Sequence, residues 1–399
     1  MLTGGETRFC RNIVVDGETR FSRNIVVDGE KRFSGNIAAG RWRNRMELNE
    51  SIFMHRALEL ARRGLGHTRP NPPVGAVIAK NGRIIGEGWH RRAGMDHAEV
   101  AAIKSALKSC SHLASSTLYV TLEPCSRPGR VGACTDAIAA ADIGHVVYAI
   151  PDPNPKNRGR AKRVLARHGI SCECWATNRR TKASGMGDDE LLHRQKCVRI
   201  ARALIAPFAK HVTTGLPYVV VKLAMSMDGR ICDDKGDAKW ISSAVSRRRT
   251  GRMRSEVDAI MVGAETVRRD DPSLLCHQKR NDDLIRVVVS KSGRLPKKAQ
   301  LFTDGAPNET LVFADAREAV VELGRKGVTS VLCEGGLALA RSLADLGLVD
   351  EWHTVVAPVV IGSMPISKAK RFRLGRYGVT DPAAGDVVSV CSRNGICSF

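Results

Sequence analysis

One run of residue types narrows the possible folds of this chain more than any other. HAEV at 97–100 is followed by PCSRPGRVGAC at 124–134, which supplies one imidazole, one carboxylate and two thiols. For these groups to meet, His97 and Glu99 must open one helix, Cys125 must leave the end of a strand, and Cys134 must open a second helix. The surrounding pattern agrees. Residues 97–110 have helical periodicity, STLYVTLEPC reads as a buried strand running into a Pro-Cys loop, and CTDAIAAADIG reads as a helix. Strands that alternate with helices in this way imply a layered α/β domain.

The chemistry of the group is specific only in combination. An H-x-E at a helix start is by itself more often a surface helix, and two cysteines can be buried thiols or half of a structural zinc site. Together, His97, Cys125 and Cys134 provide the three protein ligands of a catalytic zinc, which keeps its fourth position for water. Glu99, two residues from His97, can then reach that water without being a ligand, as a proton shuttle must. A His/Cys/Cys zinc beside a glutamate is the arrangement of the zinc deaminases.

The α/β pattern continues on both sides. NESIFMHRALELARRGLG places apolar residues at 53, 54, 57, 58, 60 and 61, one helical face closed by Gly64 and Gly66. VGAVIAKNGRIIGEGWH reads as two strands joined by an Asn81-Gly82 hairpin turn. HVVYAI and SCECW are strands on either side of the helix GRAKRVLARHGI. A polar, basic stretch at 176–216, with a helix near 188–206, connects to a second strand-rich half. There PYVVVKLAMSMDGRI, DAIMVGAETV, IRVVVS, ETLVFA, SVLCEGG, LALARSLADLG and WHTVVAPVVIG form another α/β set.

Composition adds bounds. A chain of 399 residues is longer than one typical domain, and its net charge of +22 attracts polyanions and small phosphorylated substrates alike, although a solvated basic surface meets the same description. Twelve scattered cysteines fall far short of a disulfide scaffold, so reduced thiols in the cytoplasm are expected. No apolar run is long enough to span a membrane. At the N-terminus, TRFCRNIVVDGE, TRFSRNIVVDGE and KRFSGNIAAG repeat with Phe9, Phe21 and Phe33 one period of twelve apart. So few copies cannot stack as a solenoid. Residues 1–45 are expected to be a disordered extension ahead of a start at Met46; their five acidic residues disfavour a transit peptide.

The eight residues between Cys125 and Cys134, RPNPPVGAVI upstream and DPNP at 152–155 resemble the bifunctional riboflavin-biosynthesis deaminase/reductase family. The resemblance runs from Met46 to about Gly362. It implies a cytidine-deaminase-like three-layer first domain that hydrolyses the amino group of a diaminopyrimidinone ribosyl phosphate. It also implies substrate contacts from Asn71, His90 and the insert between the cysteines, Arg127 and Arg130. The family usually reads PCSHxG(R/K)TPPC; here Arg127 stands for the His and Val131-Gly132-Ala133 for T-P-P.

The second half is similar to the family's dihydrofolate-reductase-like α/β domain, through KLAMSMDGRI, KWIS, VDAIMVGAETVRRDDPSL and LCEGG. That domain uses NADPH to reduce the ribosyl group to ribityl. Lys222 and Arg254 are cations available for phosphates. In EGG at 334–336 a strand ends and a helix opens, so the helix N-terminus can receive a diphosphate. The resemblance implies NADP contacts at Trp240, Thr266, Asp270 and the turn Gly336, Leu337, Ala338, Leu339, Ala340, Arg341 and Ser342. It implies substrate contacts at Arg254, Leu274, His277 and Glu334. Core packing remains an alternative for Trp240, and a turn or helix cap for Asp270. Ala238, His277 and Ser290 depart from the family's Ser, Arg and Asp.

The resulting expectation is an extension at 1–45, a zinc deaminase domain at 46–194, a linker at 195–216 and an NADPH-dependent reductase domain at 217–399. Zn2+ and NADPH are the cofactors and a small phosphorylated pyrimidine is the substrate. The protein is expected to be a cytoplasmic homo-oligomer with no membrane partner and no nucleic acid. A deaminase beside a weak or inactive reductase, or a deaminase acting on tRNA, are the alternatives; the cysteine spacing and the second domain argue against the last.

Overall fold

The computed structural model describes residues 50–128, 132–177, 188–236, 241–275, 284–306, 308, 310–362 and 387–392. The N-terminal repeats, Arg130, Ala238, Trp240 and His277 lie outside them.

The first half is three layers. Strands β1 (Gly75–Lys80), β2 (Arg83–Trp89), β3 (Thr117–Leu122), β4 (His145–Ile150) and β5 (Ser171–Cys174) form one sheet in the order β2-β1-β3-β4-β5. β1 runs antiparallel to both neighbours, while β3, β4 and β5 are parallel. The expected hairpin turn is present: Asn81 and Gly82 have φ of 49° and 71°, the two left-handed positions of the tight turn. On one face pack α1 (Glu50–Arg62) and α5 (Asp188–Leu204), through Phe53, Met54, Leu58, Cys197, Val198 and Ala201. On the other lie α2 (Ala98–Ala106), α3 (Cys134–Ala140) and α4 (Ala161–Ala166), through Ala98, Ala102, Ile138 and Leu165.

Two close approaches set the depth of these layers. A side chain on Gly75 would meet the Ala57 carbonyl of α1 at 2.0 Å, and one on Gly88 would meet the Ala102 nitrogen and Ala98 oxygen of α2 at 2.4 Å. Glycine in a strand is here the condition for a helix to lie against it.

The second half has a seven-stranded sheet. Its strands are β6 (Tyr218–Ser226), β7 (Ala259–Gly263), β8 (Ile285–Val289), β9 (Thr310–Phe313), β10 (Ser330–Cys333), β11 (Glu351–Ala357) and β12 (Val387–Ser392). The order is β12-β11-β6-β10-β7-β8-β9, and every pairing is parallel except that of β11 with β12. Helices α10 (Ala316–Arg325) and α11 (Leu337–Asp345) cover one face, while α7 (Ala244–Glu256), α8 (Ala264–Asp270) and α9 (Gln300–Thr303) cover the other.

The segment expected to link the halves is helical. The end of α5 and then α6 (Ala206–Thr214) occupy 195–214, and Cys197, Val198, Ala201 and Leu204 recur at helical spacing into the same core as α1. Apolar residues at that spacing bury a stripe even within a basic stretch. The halves meet where Gly66, with φ of 75°, lies so close to α7 that a Cβ would be 2.2 Å from the Ser255 carbonyl. A cavity of about 30 Å³ beside it is lined from one half by Thr68 and Asn71 and from the other by Glu256 and Asp258.

Candidate active site

The layers bring the sequence-separated ligand candidates together. His97 is the N-cap of α2, Glu99 lies in its first turn, Cys134 opens α3, and Cys125 follows β3. Because α2 and α3 start at the same end of the sheet, their first residues converge. His97 Nδ1 lies 3.2 Å from Cys134 Sγ and 3.5 Å from Cys125 Sγ, and the Cys134 backbone N–H donates to Cys125 Sγ at 3.3 Å. The ligand atoms all fall within 4.8 Å of one another. Zinc–nitrogen and zinc–sulfur bonds at a tetrahedral angle would set N and S about 3.5 Å apart, so this donor set fits the ion in kind and spacing.

Electrostatics point the same way. The Cys134 thiol, and after it the His97 imidazole, hold the Cys125 thiol down to about 4, while hydrogen bonding to Cys125 and burial push Cys134 up. Glu99 is 4% exposed; burial, and then the neighbouring Cys125 thiolate, raise its carboxyl to about 7. A cation bound among these groups favours the ionised form of each thiol and carboxyl, adding to the fall at Cys125 and opposing the rise at Cys134 and Glu99.

Asn71 and His90, expected to touch substrate, stand at the same place. Asn71 Nδ2 donates to His90 Nε2 at 3.0 Å, and His90 Nδ1 donates to the Asp96 carbonyl at 3.0 Å. That fixes the tautomer, and burial lowers the pKa of His90. The His90 and His97 rings meet edge to face at 5.2 Å. Arg127 is exposed on the insert.

Two residues missed in the motifs support the cysteine loop. Glu123, in TLEPC, is a buried carboxylate accepting from the backbone N–H groups of Asp152, Gly159 and Ala161. Asn157 is buried against Ser126 and Asp152. The signal for Glu123 was available: a charge at the end of an otherwise apolar strand needs partners.

In the second half, Arg254 and Glu334 are bonded to each other. Thr266 is half-buried on α8, and Asp270 is exposed as its last residue. Gly336 caps α11 without a side-chain bond, exposed together with Leu337, Ala338, Arg341 and Ser342. A Cβ on Gly335 would stand 3.2 Å from the Gly263 nitrogen, so backbone crowds in at the end of β10. Free N–H groups at the start of a nine-residue helix fit a cofactor diphosphate. The side chains of Leu339 and Ala340 are instead part of the core, and so is Leu274, 2% exposed with φ of 56°. For these three, the expected contacts fall to the backbone.

The model of the cytidine and deoxycytidylate deaminase zinc-binding region matches residues 48–150, and that of the RibD C-terminal domain matches 217–372. The riboflavin biosynthesis protein RibD of Escherichia coli K12 is 34% identical over 354 residues, 79% of this chain and 89% of that protein. The chain belongs to the RibD family. RibD of Bacillus amyloliquefaciens is 35% identical over 78% of this chain and 85% of its own. A crystal structure from Thermotoga maritima, a diaminohydroxyphosphoribosylaminopyrimidine deaminase/5-amino-6-(5-phosphoribosylamino)uracil reductase, superposes with a TM-score of 0.68 at 33% identity, over 79% of this chain and 88% of that one. RibD of Acinetobacter baumannii gives 0.65 at 31%, over 79% and 89%. As a RibD protein this chain is a bifunctional enzyme of riboflavin biosynthesis, with a zinc-binding deaminase domain followed by an NADPH-using reductase domain. Its RibD C-terminal match runs past Gly362, where the motif resemblance stops. Among the described residues, no helix is long and apolar enough to cross a membrane.

Proposed function

We propose that His97, Cys125 and Cys134 hold the zinc of the deaminase half and that Glu99 carries its protons. The observation behind this is the convergence of those three donors at the starts of α2 and α3 with one buried carboxylate beside them. Zinc held there supplies Lewis acidity that brings water toward hydroxide near neutral pH. The water oxygen bonds to the ring carbon bearing the amine, and the carbon–nitrogen bond to that amine breaks. Glu99 takes one proton from the water and passes it to the ring nitrogen, then carries the second, from the hydroxyl now on the carbon, to the amino group, which leaves as ammonia. Asn71 and His90 orient the ring, with Arg127 and Arg130 on the phosphate side.

In the reductase half, Arg254, Glu334, His277 and the backbone of Leu274 bind the substrate. Trp240, Thr266, Asp270 and the turn 336–342 hold NADPH, which supplies hydride to C1 of the opened ribose. The deaminase unit takes in α5, which shares the core of α1, α6 connects it to the second half through Ala206 and Lys210, and the reductase begins at 217. The substrate is a small phosphorylated pyrimidine rather than a nucleic acid, and the enzyme works as a cytoplasmic homo-oligomer. The described cysteines are free thiols, which supports a reducing compartment.

The test follows ammonia release and nicotinamide absorbance together, with diaminopyrimidinone ribosyl phosphate and NADPH. Glu99→Gln should lower ammonia release by about 10²–10⁴-fold, the usual share of general acid–base catalysis, with bound zinc unchanged. Wild-type ammonia release from this variant would overturn the assignment. Release from tRNA rather than from the free phosphate would overturn the substrate class.

A further inference from the structure

Cys125 differs from the other two ligand candidates in its support. His97 and Cys134 sit at helix starts, whereas Cys125 lies in the loop between β3 and α3, where the first turn of α3 reaches it from one side only, the Cys134 N–H donating to its Sγ at 3.3 Å and the Thr135 N–H to its carbonyl at 3.1 Å. A zinc site tolerates only a few tenths of an ångström in ligand position. The chain on either side of Cys125 is held separately.

Glu123 and Ser126, on either side of Pro124-Cys125, are both moored to one segment, 152–161. On the N-terminal side, Glu123 accepts from the Asp152 and Gly159 N–H groups at 3.1 and 2.9 Å and from the Ala161 N–H at 3.1 Å. On the C-terminal side, the Ser126 backbone N–H and hydroxyl both donate to Asn157 Oδ1, at 2.9 and 3.1 Å. Asn157 is 7% exposed, and its Nδ2 donates to Asp152 Oδ2 at 2.8 Å. Asp152 is itself held, accepting from the Asn154 N–H at 2.8 Å. The Asn157 amide is therefore engaged at both ends: its oxygen can point only to Ser126 and its nitrogen only to the carboxylate. No step of the proposed chemistry uses it.

We propose that Asn157 is a positioning residue for the metal centre: by gripping Ser126 it sets the place of Cys125 Sγ and hence the affinity of the site for zinc. This rests on Cys125 being a zinc ligand. A partner that orients a ligand from outside the coordination shell is worth about 10–100-fold in metal affinity when removed. A role confined to stabilising the loop would lower the melting temperature and leave zinc affinity where it was.

The experiment uses the full-length protein and competes zinc against a chromogenic chelator, with NADPH oxidation on the deaminated substrate as the internal check of folding. Asn157→Ala should weaken zinc binding by about 10–100-fold and alter the thiolate-to-metal absorption of the cobalt-substituted protein, while NADPH oxidation is kept. Asn157→Asp retains an oxygen acceptor for Ser126 and should recover most of the affinity, even where repulsion from Asp152 lowers the melting temperature. If the alanine variant does not accumulate, Asn157→Leu fills the space without accepting from Ser126 and carries the same expectation. Wild-type affinity in Asn157→Ala or Asn157→Leu, with Cys125→Ser having lost it, overturns the positioning role alone. Wild-type affinity in Cys125→Ser overturns the ligand assignment and the inference with it.

Discussion

Arg254 and Glu334 form a two-pronged ion pair, Nε to Oε1 at 2.6 Å and Nη2 to Oε2 at 3.0 Å, across 80 residues of sequence. The guanidinium comes from the last turn of α7 and the carboxylate from the end of β10, so the pair ties a helix to the sheet where the substrate of the reductase is proposed to bind. Glu334→Gln removes the charge but keeps the shape. NADPH oxidation should fall about tenfold or more, the equivalent of one lost charge-assisted hydrogen bond. Ammonia release should stay within about twofold, because, among the described residues, the pair shares no hydrogen-bond partner with His97, Glu99, Cys125 or Cys134. The two readouts on one protein check it; parallel loss of both would sink the separation.

The glycines of β2 set where α2 lies. Gly88→Ala puts a methyl group 2.4 Å from the Ala102 nitrogen and the Ala98 oxygen, so the helix must shift. Overpacking of this kind costs about 1–3 kcal/mol. The displaced helix start carries His97 and Glu99, so ammonia release should drop by more than the stability loss accounts for. Thermal melting and steady-state deamination, measured together, test this.

Arg194 on α5 joins Glu173 of β5 at 2.7 Å, Glu190 at 3.1 Å and Glu50 at the start of α1, and lies over the Trp175 ring at 4.7 Å. Its side chain is 9% exposed, which leaves the carboxylates facing one another if it is removed. Arg194→Leu should destabilise the first half by about 3–5 kcal/mol, the range for breaking a buried pair. Denaturant unfolding of this variant, with Arg194→Lys as an intermediate case, provides the measurement.

Asp228 gives a signed dependence on pH. Hydrogen bonds from Ser226 and from the Gly362 and Ile361 N–H groups hold its carboxyl down to about 2, against an ordinary 3.8. The folded state therefore resists protonation longer than the unfolded chain. The contribution is whole above the unfolded value and is lost as pH falls through the folded one. Melting temperature should drop between about pH 4 and 2 more steeply in the wild type than in Asp228→Asn. Equal slopes would count against it.

Much of the candidate site was legible because its residues work through local positions. H-x-E before a helical pattern, a strand ending in Pro-Cys and a cysteine opening a helix are short-range signals, and the fold places all three as expected. The Asn81-Gly82 turn is equally local. Leu274, Leu339 and Ala340 were harder, because inside or outside is decided by which neighbours arrive. The same holds for β12, whose alternation in DVVSVCS becomes a strand through its pairing with β11.

By itself the sequence determined the two α/β halves, the hairpin, and the residues proposed as zinc donors and proton carrier, since periodicity and residue chemistry act over a few positions. Only the tertiary structure decided that α5 closes the first core, that Arg254 meets Glu334, and that Asn157 reaches Ser126. Those contacts join residues far apart in the chain, and no local pattern records a distance that packing alone creates.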